Sequence, residues 1–172
     1  MWHYVEGITN YAPIWPHHGI RILPGPSSVW LDATGHRLPV PLFPGFDTLG
    51  TLEHIVSTGH DYSWFVLTQA IIEKEFALSG SEQNPDLTSR SIPQVLARVR
   101  PGAPGPVQAF VDRGADFVSA SNLTELVQKM NELPDVEPLD YSTVAAEVTA
   151  RDREVANRFS KDGQITAIRT AQ

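Results

Sequence analysis

The sequence predicts an α+β fold, with one domain over residues 1–172 that contains a small mixed or antiparallel sheet and several packed helices. Two observations lead to this prediction. A chain of 172 residues is about the commonest size for a single domain with a real hydrophobic core. Segments with the period of strands and segments with the period of helices follow one another without regular alternation, which favours α+β over a doubly wound sheet.

Residues 28–38 predict a β-hairpin. The stretch from Ser28 to Leu38 contains two short, strand-like segments around a turn. Gly35 lies in the turn, where it can adopt a positive φ without steric cost. We therefore expect two antiparallel strands here.

After the hairpin the pattern predicts a helix, a strand and a second helix. The first helix spans Thr48 to Ser57, and Gly59 follows it as a C-terminal stop. A strand rich in aromatic and β-branched residues is expected at residues 62–67, and the second helix at residues 69–78. The apolar positions of the first helix recur at spacings of three and four, at Leu49, Leu52, Ile55 and Val56.

The C-terminal third predicts a strand and two more helices. Residues 116–120 are expected to form the strand, and Asn122 to Glu125 has the form of a capping box at the start of a helix that ends near Asn131. A long helix is expected from Ser142 to Phe159. The residues predicted to be buried on these two helices are Leu123, Leu126, Val127 and Met130, then Val144, Val148 and Val155.

Composition excludes several classes of function. The chain has 13 Lys and Arg against 20 Asp and Glu, and its net charge of -7 disfavours nucleic acid as a partner. It has no cysteine, which excludes disulfides, thiolate metal sites and a cysteine nucleophile. No apolar stretch is long enough to span a membrane, and no targeting segment is recognised, so we predict a soluble, cytoplasmic protein.

The nucleotide-binding and nucleophile motifs are absent from the sequence. It contains no GxGxxG, no GxxxxGK[ST] and no GxSxG, so a nucleotide cofactor is expected to be held elsewhere. The six histidines show no HExxH-type spacing, and we predict no metal site.

The densest cluster of reactive side chains lies between Trp15 and Ser28. Two imidazoles, a guanidinium and two hydroxyls occur there within 14 residues, a set that can bind an anionic or carbonyl group. The candidate residues are Trp15, His17, His18, Arg21, Ser27 and Ser28.

Two other interpretations of this segment stay open. In the first, it is a stiff loop of Pro and Gly in which Arg21 pairs with a structural carboxylate such as Asp32. In the second, the chain is a hydrolase that uses His17 or His18 with Ser27 or Ser28, although no orienting carboxylate lies at a telling spacing. The four tryptophans are interpreted mainly as core or interface residues.

Several segments together resemble a known family of flavoenzymes. They are Tyr11 to Trp15, Ile22 to Leu38, Tyr62 to Leu67 and Ala120 to Val127. In this order they resemble the substrate-side cap domain of FAD-dependent dehydrogenases of the fumarate reductase and 3-ketosteroid dehydrogenase type.

This resemblance implies a fold, a cofactor and partners. The chain would be a cap-type domain cut from a longer FAD-dependent oxidoreductase. Its partners would be a small-molecule substrate and the missing flavin-binding domain of the same parent chain. FAD would be the cofactor of the parent enzyme and would not bind tightly to this chain alone.

The chain departs from the family at the positions of its best-known cap catalysts. Ala12 occurs where fumarate reductases carry a His, and residues 41–50 contain neither the Arg of fumarate reductases nor the Tyr of ketosteroid dehydrogenases. Gly45 or Phe46 takes the place of that Tyr. The catalytic residues are therefore left unassigned.

The resemblance leads to a reaction class. It implies hydride transfer between a carbon adjacent to a carbonyl and the flavin, with the isolated chain inactive. The alternative is a stand-alone binding or interaction module that retains the cap fold without catalysis.

Overall fold

The computed structural model describes residues 3–5, 20–23, 25–75, 77–78, 92–93, 101–103, 107–108, 111–112, 114 and 116–171. In chain order, the elements named below are β1 (His3–Val5), β2 (Ile20–Leu23), β3 (Val29–Asp32), α1 (Thr48–Ser57), β4 (Ser63–Val66), α2 (Gln69–Glu75), β5 (Ala77–Leu78), α3 (Leu123–Asn131), α4 (Tyr141–Ala156) and α5 (Gly163–Ala171). The predicted α+β class is confirmed.

The chain divides into two compact units. The first contains Pro26–Leu67 and Ala120–Gln172, together with Met1, and the second contains Trp2–Gly25 and Thr68–Ser119. In the second unit, β1, β2 and β5 form an antiparallel sheet in which β2 is central. The organisation of residues 1–172 as a single domain stays a prediction.

The first unit is built around the hairpin that follows Ser28. The chain reverses after Asp32, whose N–H donates to the carbonyl of His36 over 2.8 Å, and Gly35 has a φ of 91°. The returning arm forms a single bridge between Leu31 and Arg37. The predicted reversal is confirmed, but the long strand partner of β3 is β4.

Two tryptophans hold the core of the first unit. Trp30 is stacked on Phe65 with ring centroids 4.7 Å apart, and its indole N–H donates to Ser63 Oγ over 2.9 Å. Trp64 lies on the opposite face of the strand pair and is also buried. The interpretation of these two tryptophans as core residues is confirmed, because both bury a large ring.

The helix starts follow local capping chemistry. The Asn122 side chain accepts from Glu125 N over 2.9 Å, and the Glu125 carboxylate accepts from the backbone N–H of Ser121. The predicted capping box is therefore present, with its return bond one residue earlier than expected. The helix Thr48–Ser57 is confirmed at both ends, with Gly59 at a φ of 83° after it.

The predicted helix at residues 69–78 is too long. It ends at Glu75, and Ala77 and Leu78 form β5 instead, opposite Leu23 and Ile22 of β2. A tertiary partner, the edge of β2, therefore overrides the local helical pattern.

The C-terminal third contains three further differences from the sequence prediction. Residues 116–120 form a turn and irregular chain rather than a strand. Helix α4 ends at Ala156, and Val155 faces solvent although Val144 is fully buried. Residues 163–171, for which no element was predicted, form α5.

Candidate functional site

A network of three side chains joins the hairpin to the start of α5. Arg37 Nη1 donates to Asp162 Oδ2 over 2.7 Å, and Arg37 Nη2 donates to Asp162 Oδ1 over 3.1 Å. The same Nη2 donates to Gln164 Oε1 over 2.8 Å. The guanidinium therefore makes a bidentate pair with the carboxylate and also binds the neighbouring amide.

The amide of Gln164 connects this network to the chain before β3. Its Nε2 donates to the carbonyl oxygen of Pro26 over 2.6 Å and to that of Ser28 over 2.8 Å. Arg151, on α4, donates through Nη2 to the carbonyl between them, that of Ser27. Three consecutive carbonyls are thus bound by side chains.

Asp162 is the electrostatic centre of the network. Burial raises the pKa of Asp162, but hydrogen bonds from Arg37 and from the backbone N–H groups of Ile165 and Gln164, together with the charge of Arg37, outweigh it. The resulting pKa lies below the usual range. Asp162 is therefore an anion that both pairs with Arg37 and caps α5.

The structure describes only part of the predicted site. Trp15, His17 and His18 lie outside the described residues. Arg21 lies in β2, opposite Tyr4 of β1, and only its backbone is described. Their assignment to the site stays a prediction.

Ser27 and Ser28, the last two candidates, lie in the first unit just before β3. Ser27 is half-buried, whereas Ser28 is 0% exposed. Their carbonyl oxygens face Arg151 and Gln164. The backbone of these two residues therefore has a clear structural role.

The other interpretation of the segment paired Arg21 with Asp32. Asp32 Oδ1 accepts from the backbone N–H groups of Thr34 and His36 and from Thr34 Oγ1. This carboxylate stabilises the hairpin turn through its own neighbours. The side chain of Arg21 lies outside the described part of the chain.

The sequence reasoning missed Gln164 and Arg151. They are 138 and 124 positions from the carbonyls of Pro26 and Ser27 that they bind. One signal was available for Gln164, because Asp162 followed by the apolar spacing of Ile165 and Ile168 is typical of a capped helix. No pattern in the sequence predicts what Arg151 binds.

The starts of α1, α3, α4 and α5 are already capped by side chains. The side chains of Asp47, Asn122, Asp140 and Asp162 each accept a hydrogen bond from the backbone N–H of the third residue of α1, α3, α4 and α5, respectively. Three of these caps are carboxylates. A phosphate at the same ends would lose these donors and meet a negative charge.

A shallow depression of about 480 Å³ in the first unit is also acidic. The carboxylates of Asp61, Asp135 and Glu137 line it, with His60 and Tyr62. The Tyr62 hydroxyl accepts from Glu137 N over 2.7 Å, which leaves its proton free to donate. Within the described residues, no group of three or more His, Asp or Glu side chains could hold a metal ion.

Comparison with known proteins defines the class to which the chain belongs. The model of the FAD binding domain family matches residues 1–171, so the chain belongs to this family. The chain is similar to a KsdD-like steroid dehydrogenase of Mycolicibacterium smegmatis, with 75% identity over 172 residues. Two KsdD-like steroid dehydrogenases of Mycobacterium tuberculosis, from strains CDC 1551 and H37Rv, are also 75% identical, over 173 residues.

The chain covers only part of these relatives. The matches include 100% of this chain but 31% of each relative. No solved structure matches the chain. Among the helices that the structure describes, none is long and apolar enough to cross a membrane. The cytoplasmic location stays a prediction.

The family match corrects two predictions. The identification as a substrate-side cap domain is wrong, because the FAD binding domain family covers residues 1–171. The prediction that the missing partner is a flavin-binding domain is wrong for the same reason. The first came from the resemblance of several short segments to a cap domain. The second followed from that resemblance and from the missing GxGxxG motif, which describes one loop and does not decide the family of a whole segment. FAD as the cofactor of the family is confirmed.

Proposed function

We propose that this chain is part of a FAD-dependent steroid dehydrogenase. Such an enzyme would form a carbon–carbon double bond in a steroid ketone: a base would take a proton from the carbon adjacent to the carbonyl, and FAD, when bound, would accept a hydride from the next carbon. The observation that carries the proposal is 75% identity over all 172 residues to a KsdD-like steroid dehydrogenase. The FAD binding domain family supports the cofactor.

The described residues do not fit the diphosphate of FAD. A diphosphate needs backbone N–H groups at a helix start or in a Gly-rich loop. The starts of α1, α4 and α5 are occupied by Asp47, Asp140 and Asp162. The sequence has no GxGxxG and a net charge of -7. We therefore assign no reaction step through the flavin to these residues, and we propose that this chain alone binds FAD weakly.

The segment from Trp15 to Ser28 is the proposed surface that faces substrate or flavin. A steroid ketone is an apolar body with a carbonyl acceptor, so its recognition requires a few donors beside apolar surface. His17, His18 and Arg21 supply such donors, and Trp15 supplies an apolar ring. Ser27 and Ser28 end the segment, and Ser28, which is fully buried, anchors it without facing a ligand itself.

The cofactor proposal is tested by titrating the purified chain with FAD and measuring the quenching and anisotropy of flavin fluorescence. We expect no saturation at micromolar chain concentrations, which corresponds to a binding free energy weaker than about -8 kcal/mol. Riboflavin is the matched control, since it lacks the diphosphate. A yellow purified chain with stoichiometric FAD would contradict the proposal.

The activity is tested in a chimaera. This chain replaces the matching 31% of the Mycolicibacterium smegmatis relative, and steroid-dependent reduction of an artificial electron acceptor is measured. We expect the chimaera to retain activity, and His17→Ala with His18→Ala to lower kcat/KM by about tenfold or more, because donors to a carbonyl are lost. His36→Ala is the control, since that ring lies mostly exposed on the hairpin. An inactive but folded, flavin-loaded chimaera would count against the proposal.

A further inference from the structure

The partners of Gln164 fix the orientation of its amide. Its Oε1 faces the guanidinium of Arg37, which can only donate. Its Nε2 faces the carbonyl oxygens of Pro26 and Ser28, which can only accept. Only one of the two possible amide orientations satisfies all three partners.

Gln164 is buried, and its three hydrogen bonds are buried or partly buried. The residue is 1% exposed, and its hydrogen bond to Ser28 is buried as well. Water therefore cannot readily replace Nε2 at the Ser28 carbonyl. Removing the donor leaves this buried acceptor without its side-chain partner, which costs more than losing an exposed hydrogen bond.

The carbonyls that Gln164 binds end the candidate segment. Pro26 to Ser28 is a turn and bend that leads from the segment into β3. The side chains of Gln164 and Arg151 bind three successive carbonyls there, and Arg37 and Asp162 hold Gln164 in turn. The position of this backbone is therefore set by side chains that are distant in sequence.

We infer that Gln164 is a positioning residue, which fixes the backbone at Pro26–Ser28 and so the end of the Trp15–Ser28 segment. Its donation through Nε2, rather than its volume or its bond to Arg37, performs this role. The importance of the segment for flavin or substrate rests on the proposed function. The placement of the backbone does not.

Two variants separate these contributions in the purified chain. Gln164→Met keeps the length of the side chain and removes both hydrogen-bonding ends. Gln164→Glu keeps an oxygen for Arg37 but cannot donate to the carbonyls when ionised. Gln128→Met is the matched control, because Gln128 is exposed on α3.

Hydrogen exchange followed by mass spectrometry at pH 7 gives the main result. In peptides that cover residues 26–30 we expect exchange roughly tenfold faster in both Gln164 variants, as for the loss of about one net buried hydrogen bond. Peptides from α3 should change by less than twofold, and Gln128→Met should match the wild type throughout. Wild-type exchange in Gln164→Glu would show that the bond to Arg37 suffices and would overturn the inference. An equal increase in every peptide would also overturn it, since the effect would then be global.

Carbonyl ¹³C chemical shifts provide a second, more direct readout. The shifts of Pro26 and Ser28 should move in both Gln164 variants, because each carbonyl loses a donor. The Trp30 carbonyl accepts from Leu38 N over 3.0 Å and serves as an internal control. Unchanged Pro26 and Ser28 shifts would contradict the inference. Neither readout uses flavin or steroid, so failure of the proposed function leaves both results interpretable.

Discussion

The guanidinium of Arg37 binds both carboxylate oxygens of Asp162, although the two residues are 125 positions apart. Their side chains are 17% and 10% exposed, so the pair is largely removed from water. Because Arg37 follows the hairpin turn and Asp162 precedes α5, this pair joins two elements that local interactions could not bring together.

Removing the guanidinium should destabilise the chain strongly. Arg37→Met leaves the carboxylate of Asp162 buried without its counter-charge and removes the donor to Gln164 Oε1. We expect a loss of about 3 kcal/mol in the free energy of unfolding, measured by urea denaturation. Arg37→Lys should lose about 1–2 kcal/mol, because an ammonium cannot make the bidentate pair.

Arg158→Met is the control for these variants, since Arg158 is exposed. It should change the free energy of unfolding by less than about 0.5 kcal/mol. A loss in Arg37→Met no larger than in the control would show that the pair adds nothing to stability.

The same carboxylate should make stability depend on pH in acid. The folded state lowers the pKa of Asp162, so the stability that it contributes is present above the unfolded value of about 3.9 and is lost as the pH falls through the lower folded value. Asp162→Asn should therefore unfold with a shallower dependence on pH below about pH 4. The measurement is the urea midpoint between pH 2.5 and pH 7.

Other acids contribute in the same direction. The pKa values of Glu125 and Asp140 are also lowered, mainly by hydrogen bonds from Lys129 and Ser142, so some acid sensitivity persists in Asp162→Asn. Asp61→Asn, at an exposed position, is the control. Identical pH profiles for Asp162→Asn and the wild type would exclude the role assigned to Asp162.

Elements that depend on neighbouring residues could be predicted from the sequence. Gly35 at the hairpin turn, Asn122 before α3 and Gly59 after α1 act within a few residues, and the structure has each in the predicted role. Only its residue type indicates a turn role for Asp32, yet its carboxylate also acts locally, because it accepts from the backbone N–H groups of Thr34 and His36.

What depends on distant partners could not be predicted. The helical pattern at residues 69–78 gave no sign that Ala77 and Leu78 would pair with β2. Nor does any spacing connect Gln164 to Pro26, because the contact arises only when α5 packs beside the start of β3. The cap-domain assignment failed differently, since it rested on the resemblance of short segments, whereas the family model matches residues 1–171 as a whole.

An alanine at Gly35 should be destabilising for two reasons. The φ of 91° is unfavourable for any residue with a Cβ, and that Cβ would lie 3.1 Å from Val144 Cγ2 and 3.2 Å from Leu139 Cδ2. Gly45→Ala is a matched control, because Gly45 has a φ of 85° and nothing within 4 Å of the added Cβ. We expect a loss of about 1 kcal/mol at Gly45 from strain alone and about 2–3 kcal/mol at Gly35, where packing adds to it. If urea denaturation gave the same loss of unfolding free energy for both variants, the side chains of Val144 and Leu139 would have moved to accommodate the added Cβ, and packing would not add to the strain.

The adjacent residues Ile55 and Val56 of α1 test which face of this helix is packed against the core and which faces solvent. The apolar positions Leu49, Leu52, Ile55 and Val56 recur at helical spacing, but Ile55 is 8% exposed and Val56 is 70% exposed. Ile55 packs in the cluster with Trp30 and Leu38, so Ile55→Ala should cost about 2–4 kcal/mol of unfolding free energy. Val56→Ala should cost less than about 0.5 kcal/mol, apart from any small gain in helix propensity. Urea denaturation of the purified chain at several protein concentrations measures both. A cost at Val56 comparable to that at Ile55, and growing with protein concentration, would mean that a second copy covers this face in solution, and the exposed stripe of α1 would then be an interface.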